Sequence, residues 1–250
     1  AIGSYSGAIL GKMMNGLPGL FAGMTVGVLI SVVVAFLVGL PTLRLKGDYL
    51  AIATLGVAEI IRVAVTNMKI TNGAAGISGV PLTNTWTITY IALVLTTILI
   101  LNYTFSSAGR ATYAVLQDEI AAESMGVQVT KYKILAFVLG AATASIGGTL
   151  SATTLGAVTP SDFTFMKSID VLIIVVFGGI GSFTGSFVAA VLLGIINLVL
   201  QPFGQLRMII YAVALILIMI FRPGGLLGTW EFKLGDFKFS KKKETKESGK

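Results

Sequence analysis

The chain has no cysteine and no histidine, and only 12% of its 250 residues are charged. Without cysteine it can form neither disulfides nor thiolate metal sites. Without histidine it lacks the side chain that most often serves as a catalytic base or a metal ligand. Soluble domains carry about 25% charged residues, so this sequence has too little charge to cover a soluble surface. Its 55% hydrophobic residues and 30 glycines are instead typical of closely packed helices in a membrane.

Long apolar runs divide the chain into about seven predicted helices that span or partly span a membrane. A helix needs roughly 20 apolar residues to cross the hydrocarbon core. The predicted runs cover residues 20–40, 49–66, 86–103, 134–153, 169–176, 187–200 and 206–221. The fifth run is too short to cross alone and leads into the glycine-rich sequence FGGIGSFTG. We therefore expect an all-α polytopic bundle, in which glycines break some of the helices.

A polar segment with mixed charges, residues 110–137, interrupts the apolar runs. It carries Asp118, Glu119 and Glu123, and two lysines follow. Such a segment must lie outside the bilayer, and its length allows one or two surface helices. We expect it to contact another molecule.

The middle of this segment has the pattern of a short helix with a defined end. Ala121 and Ala122 are helix formers, and Gly126 can adopt the left-handed conformation that ends a helix. Met125 beside it offers an adaptable apolar contact. An ordinary surface helix has the same pattern, so the pattern alone does not identify a binding site.

Lysine and arginine predict the orientation, because they are enriched on the cytoplasmic side of membrane proteins. With the C-terminus inside, the inner side holds Arg44, Lys46, Arg110, Lys131, Lys133 and the eight basic residues from Arg222 onward. The outer side holds Lys12, Lys69, Lys167 and Arg207. Residues 1–228 are predicted to form the transmembrane domain, with a cytoplasmic loop at 108–133. Residues 229–250 are predicted to form a disordered basic tail, and this position of the charge argues against a nucleic-acid partner.

Glu59 and Arg62 lie within the second predicted span, three residues apart on one face of the helix. Ionisable residues within a span are costly and are candidates for a functional role. An ion pair that only fixes helix packing also explains this spacing, and we favour that structural role.

Glycine patterns in the spans predict packing and no chemistry. Gly19, Gly23 and Gly27 repeat every four residues, as do Gly140, Ala144 and Gly148, and this spacing is typical of tight helix contacts. FGGIGSFTG lacks the Lys-Ser/Thr pair of a phosphate-binding loop, so we expect a tight break there. We predict no nucleotide site, no metal site and no enzymatic activity in this chain.

Three segments together resemble the permease subunits of ABC importers for branched-chain amino acids, specifically the LivM-like type. They are LRLKGDYLAIATLGVAEIIR at 43–62, DEIAAESMGVQVTKYKILAF at 118–137, and FGGIGSFTGSFVAAVLLGIIN at 177–197 with the later FRPGGLLG. The resemblance covers nearly the whole chain in order. It also implies further helices ahead of Ala1.

The resemblance implies that the polar segment docks into a groove on an ATPase subunit. The matching residues are Asp118, Glu119, Ala121, Ala122, Glu123, Met125 and Gly126. One position departs from the wider importer signature, in which a glutamate directly precedes the two alanines. Here Ile120 stands in that place and Glu119 lies one residue earlier.

The implied assembly is a transporter of the bacterial or archaeal cytoplasmic membrane. This chain would bind no cofactor, because partner ATPase subunits would hydrolyse ATP. A second, LivH-like permease subunit would complete the translocation path. Our candidates for residues of this path or its gate are Thr54, Glu59 and Arg62. An extracytoplasmic amino-acid-binding protein would deliver the substrate to outer loops at 67–85 and 155–168.

Two alternatives remain open at this point. A related ABC importer for sugars or other small solutes shares the architecture, although KGDYLAIATLG favours the amino acid branch. An ion-coupled secondary transporter is the second alternative. Such proteins usually carry intramembrane charges and broken helices in matched halves, and the sequence shows one clear charged pair and no obvious repeat.

Overall fold

A computed structural model describes residues 1–200, except Asn15, Lys46 and Ile180, together with Ile210 and Val213. In this part of the chain there are nine α-helices, two short 3₁₀ helices (Gly73–Ala75 and Pro160–Phe163) and two very short strands. The helices are α1 (Ile2–Met13), α2 (Leu17–Thr42), α3 (Asp48–Asn67), α4 (Trp86–Phe105), α5 (Ser107–Gln117), α6 (Glu119–Ser124), α7 (Val129–Leu155), α8 (Phe165–Gly178) and α9 (Phe183–Leu200). The strands are β1 (Ile77–Ser78) and β2 (Ala157–Val158).

Five of the described helices are long and apolar enough to cross a membrane: α2, α3, α4, α7 and α9. They match five of the predicted runs, each extended by a few residues at one or both ends. The fifth predicted run, 169–176, corresponds to α8, which has 14 residues and is too short to cross the hydrocarbon core alone. The predicted run at 206–221 and the predicted tail lie outside the described residues. The chain is thus an all-α membrane protein, as the sequence predicts.

The centre of the first compact unit, Ala1–Lys167, is a three-helix contact among α1, α2 and α7. Glycines of α1 and α2 face one another in antiparallel order: a Cβ built on Gly23 would lie 2.7 Å from Gly7 Cα, and one on Gly27 would lie 3.2 Å from Gly3 Cα. The prediction from the Gly19, Gly23 and Gly27 spacing is confirmed, because all three are buried. Backbones can approach this closely only where side chains are absent.

The third helix, α7, meets this pair through a different face from the one that the glycine spacing predicts. Gly140 and Ala144 are exposed, and a Cβ on Gly140 would have no heavy atom within 4 Å among the described residues. The prediction is therefore wrong for these two residues, and only Gly148 packs. The buried stripe lies one residue further along and includes Ser145, Thr149 and Ala152. Thr149 is fully buried, and its hydroxyl donates to Gly3 O at 2.9 Å.

The connections between spans gather at the two ends of α7. At its last turn, β2 pairs in antiparallel fashion with β1, so that Ile77 lies opposite Val158. We call this end of α7, where β1 and β2 pair, the paired-loop end. Lys12 Nζ donates to Ser78 O at 2.8 Å, which joins the end of α1 to it. At the first turn of α7 lie α5 and α6. Since α7 has 27 residues, about 39 Å separates its two ends.

The second unit begins at Ser168, and its described core lies between α8 and α9. Phe177, Ala189 and Leu193 form a buried cluster. Between these helices Gly179 and Gly181 adopt φ of +117° and +94°, a conformation that side chains rarely allow. A Cβ on Gly178 would lie 2.6 Å from Ser186 Cα. The predicted tight break in FGGIGSFTG is confirmed.

Candidate functional site

The polar segment folds into two short helices that lead directly into α7. Ser106 begins α5, and its side chain accepts a hydrogen bond from Gly109 N at 3.1 Å. Along α5, Val115 is buried while Tyr113 and Leu116 are exposed. The segment thus contains two short helices, as the sequence predicts, and the shorter one, α6, lies next to the first turn of α7.

Asp118 fixes the first turn of α6. Its Oδ1 accepts hydrogen bonds from Ile120 N at 2.8 Å and from Ala121 N at 3.0 Å. These are two of the amide groups that the start of a helix leaves without partners, and aspartate is among the preferred residues at this position. A helix of six residues is too short to persist by propensity alone. The cap of Asp118 therefore stabilises a helix that would otherwise unwind.

Gly126 ends α6 in the way that the sequence predicts. Its φ is +83°, and the hydrogen bonds from Val127 N to Ala122 O (3.0 Å) and from Gly126 N to Glu123 O (2.9 Å) form a Schellman motif. A Cβ on Gly126 would meet no heavy atom within 4 Å among the described residues. Glycine is thus required here by the backbone conformation, and space around it is open.

An ion pair attaches α6 to the span that follows, and Ala122 of α6 is buried, with 5% of its surface exposed. Glu119 Oε1 and Lys133 Nζ form an ion pair of 2.5 Å across the turn. Sequence reasoning missed this role of Lys133, although its opposite charge within the same segment was the available signal. Glu119 therefore positions α6 on α7.

The outward face of α6 is apolar at two positions. Ile120 has 74% of its surface exposed and Met125 has 85%. Ile120 occupies the place that a glutamate holds in the wider importer signature, so the departure falls on the exposed face. Exposed large apolar side chains on a rigid, capped helix are suited to contact with another protein.

An open groove of about 820 Å³ lies beside this helix. Its lining includes Glu123, Gly126 and Val127 from the end of α6, Ile134 from α7, and Phe36 from α2. The groove thus joins the α6–α7 turn to a second membrane span. Both α2 and α7 belong to the central three-helix contact.

Glu59 and Arg62 pair on α3, as their spacing predicts. Arg62 Nε donates to Glu59 Oε1 and Oε2 at 3.0 and 2.9 Å, and Arg62 Nη2 donates to Oε1. The side chains remain 54% exposed for Glu59 and 31% for Arg62. The structure does not bring Thr54 to this pair, since its hydroxyl donates to Leu50 O and Ala51 O on its own helix. The predicted roles of these three residues in a path or gate remain predictions.

The matching family model covers residues 1–221 and describes the permease component of branched-chain amino acid transport systems. The chain is 36% identical, over 91% of its length, to the LivM permease protein of the high-affinity branched-chain amino acid transport system of Salmonella typhimurium. It is 30% identical, over 57% of its length, to the LivH permease protein of Escherichia coli, of which 46% is covered.

A probable LivM protein of Methanocaldococcus jannaschii is 26% identical over 82% of this chain and 68% of its own. No solved structure matches the chain significantly. The chain spans 61% of the length of the LivM proteins of Salmonella typhimurium and Escherichia coli. With the family model matching most of its residues and five helices long enough to cross a membrane, the chain is a multi-pass membrane protein that belongs to the family of branched-chain amino acid transport permeases.

Proposed function

We propose that this protein is a membrane-spanning permease subunit of an ATP-driven importer for leucine, isoleucine and valine, and that α6 couples it to an ATPase subunit. The observation that carries the coupling role is the construction of α6. The helix is capped at both ends by Asp118 and Gly126, joined to α7 by Glu119 and Lys133, and presents Ile120 and Met125 outward. A helix that transmits force must be rigid in itself and firmly attached to what it moves.

The proposed substrate rests on the relatives, whose names all describe branched-chain amino acid transport. The proposed energy source rests on the resemblance to ABC importers, because the residues of this chain suggest no nucleotide site. ATP would be hydrolysed by partner subunits, and closure of those subunits would pull α6 and tilt α7 and α2.

The proposed orientation places α6 in the cytoplasm and the paired-loop end outside. The loops that the sequence predicts as the docking site of an extracytoplasmic amino-acid-binding protein meet at this end through β1 and β2. A LivH-like second permease subunit would complete the translocation path. The C-terminal residues would lie on the cytoplasmic side.

The test places the same bulky residue at two glycines of equal backbone conformation. Gly126 and Gly79 have φ of +83° and +70°, and a Cβ on either has no described heavy atom within 4 Å. They lie at opposite ends of α7, since Gly79 directly follows β1. Gly126→Trp is expected to abolish ATP-dependent leucine uptake and co-purification of the ATPase subunit while membrane insertion is retained. Gly79→Trp imposes similar backbone strain and is expected to keep the ATPase subunit bound.

Normal uptake and normal ATPase binding by Gly126→Trp would overturn the coupling role. Leucine uptake in this test is measured with isoleucine, valine and ribose as competitors. Competition by ribose, and none by isoleucine or valine, would move the substrate to sugars. Uptake that persists without ATP and follows an ion gradient would support a secondary transporter.

A further inference from the structure

The Glu59–Arg62 pair lies near the middle of the span formed by α3. At 1.5 Å per residue, Glu59 is about 17 Å from the first residue of the helix and about 12 Å from the last. Charges at this depth are costly when they face lipid. The position of the pair around the helix therefore decides what it serves.

Glu59 points away from the rest of its unit, and Arg62 lies at the border of the half-buried face of α3. The half-buried residues of this helix are Leu50, Ala53, Thr54, Val57, Ile61, Arg62, Val65 and Thr66. Val65 packs against a buried cluster of the unit. At 100° per residue, Glu59 lies about 150° from the centre of this face and Arg62 about 90°. Glu59 is thus presented to whatever lies beyond α3, with Arg62 beside it at the edge.

Unused hydrogen-bonding capacity remains on both charged groups. Arg62 carries five N–H donors, and its hydrogen bonds to Glu59 use Nε and Nη2. Its Nη1 has no acceptor among the described residues. Glu59 Oε2 accepts one hydrogen bond, from Arg62 Nε, and keeps a free lone pair in this part of the chain. The pair can therefore take a carboxylate on Arg62 and an ammonium group on Glu59 without being broken.

Aliphatic side chains surround the charges on the same exposed face. Leu55 and Val63 lie one turn before and one turn after Glu59, and Ile52 lies a further turn before. Their exposed fractions are 39%, 45% and 66%. A face with one positive group, one negative group and an aliphatic border is complementary to a zwitterion with an aliphatic side chain.

We propose that Glu59, Arg62 and the aliphatic residues beside them form a binding site for the zwitterionic amino acid on its way across the membrane. Arg62 binds the α-carboxylate, Glu59 binds the α-ammonium group, and Leu55 and Val63 contact the branched side chain. Charge-assisted hydrogen bonds from Arg62 to the carboxylate and from the ammonium group to Glu59 offset the loss of hydration of these two ligand groups. The site rests on the proposed function, because it assumes that the chain transports amino acids.

The test measures binding of radiolabelled leucine to the purified transporter complex, containing the full-length permease and its partners but not the binding protein. The complex is first shown to import leucine when the binding protein is added, and failure at this step would count against the proposed function itself. Leucinol lacks the carboxylate and 4-methylpentanoate lacks the ammonium group. We expect isoleucine to displace leucine from the wild-type complex and neither analogue to do so.

Single substitutions are expected to exchange the ligand preference. Glu59→Gln should weaken leucine binding at least tenfold and allow 4-methylpentanoate to bind, because Arg62 is then free to pair with an anion. Arg62→Gln should weaken leucine binding similarly and allow leucinol to bind. Ile60→Gln is the matched control, since Ile60 is exposed on the same helix and lies about 100° from Glu59; it should bind leucine as the wild type does.

Two results would overturn the proposal in a complex that imports leucine. One is that none of these substitutions changes leucine binding, whether or not the wild-type complex binds leucine measurably. The other is dissociation of the two permease subunits in Glu59→Gln or Arg62→Gln, which would assign the pair to the subunit interface.

Discussion

The contact between α1 and α2 predicts that one added methyl group at Gly23 separates two membrane helices. A Cβ on Gly23 would lie 2.7 Å from Gly7 Cα and 3.3 Å from Gly7 N. Carbon atoms pack best at about 3.5–4.0 Å, so the helix backbones must move apart by about 1 Å. Neither atom belongs to a flexible side chain, and the strain cannot be relieved by a rotamer change.

The loss of stability in Gly23→Ala is best measured against the same substitution at a glycine that has no close neighbour. Gly140→Ala gains the same helix propensity, and its Cβ meets nothing within 4 Å among the described residues. The difference between the two variants therefore isolates the overpacking cost, which is about 1–3 kcal/mol. For a chain of this length each kcal/mol changes the melting temperature by about 2–4 °C. We expect Gly23→Ala to melt about 2–12 °C below Gly140→Ala.

The assay is the fraction of detergent-purified protein that remains monodisperse after heating, measured for both variants and the wild type. Gly140→Ala should melt at or slightly above the wild-type temperature. Equal melting temperatures for Gly23→Ala and Gly140→Ala would refute the direct backbone contact between α1 and α2. A lower temperature for Gly140→Ala alone would show that α7 packs through the stripe that the sequence predicts.

Three further predictions concern the ends of α7. Asp118→Ala removes the cap of α6, which contributes about 1 kcal/mol, so amide hydrogen exchange in α6 should accelerate about fivefold. Asp118→Asn is the control and should retain the protection of these amides. Unchanged exchange in Asp118→Ala would contradict the cap. Lys133→Gln should lower the melting temperature by up to about 4 °C, because the ion pair with Glu119 contributes up to about 1 kcal/mol. High salt should reduce this difference from the wild type. A difference of the same size in high salt would contradict a stabilising ion pair. Ser78 and Ala157 are strand partners in a chain without native cysteine. Cysteines introduced at both positions should form a disulfide when a membrane-impermeant oxidant is added outside cells. Absence of the disulfide would contradict either the strand pairing or the orientation.

Local patterns in the sequence predicted the elements that depend on local physics. The spans follow from apolar length, the end of α6 follows from Gly126, and the break between α8 and α9 follows from the glycines at 178–185. Each of these depends on residues within a few positions of one another. The pairing of Glu59 with Arg62 has the same local origin, because three residues place both side chains on one face of a helix.

Contacts between distant residues were beyond this kind of reasoning. The glycines of α1 repeat at positions 3, 7 and 11 and meet those of α2, but the helix is only 12 residues long and gave no hydropathy signal. On α7, spacing alone could not distinguish the stripe of Gly140 from that of Ser145, because both contain small residues every three or four positions. The attachment of Glu119 to Lys133 required the turn geometry that Gly126 sets.

The central claim is that α6 meets an ATPase subunit inside the cell, and single-cysteine photo-cross-linking tests it most directly. A cysteine at Met125, which has 85% of its surface exposed, carries the cross-linker, and a cysteine at Leu82 at the paired-loop end, with 71% exposed, serves as the control. The Met125 probe should capture the ATPase subunit of a leucine importer, and the Leu82 probe should not. Capture of that subunit by Leu82, or by neither position in a complex that imports leucine, would contradict the central claim.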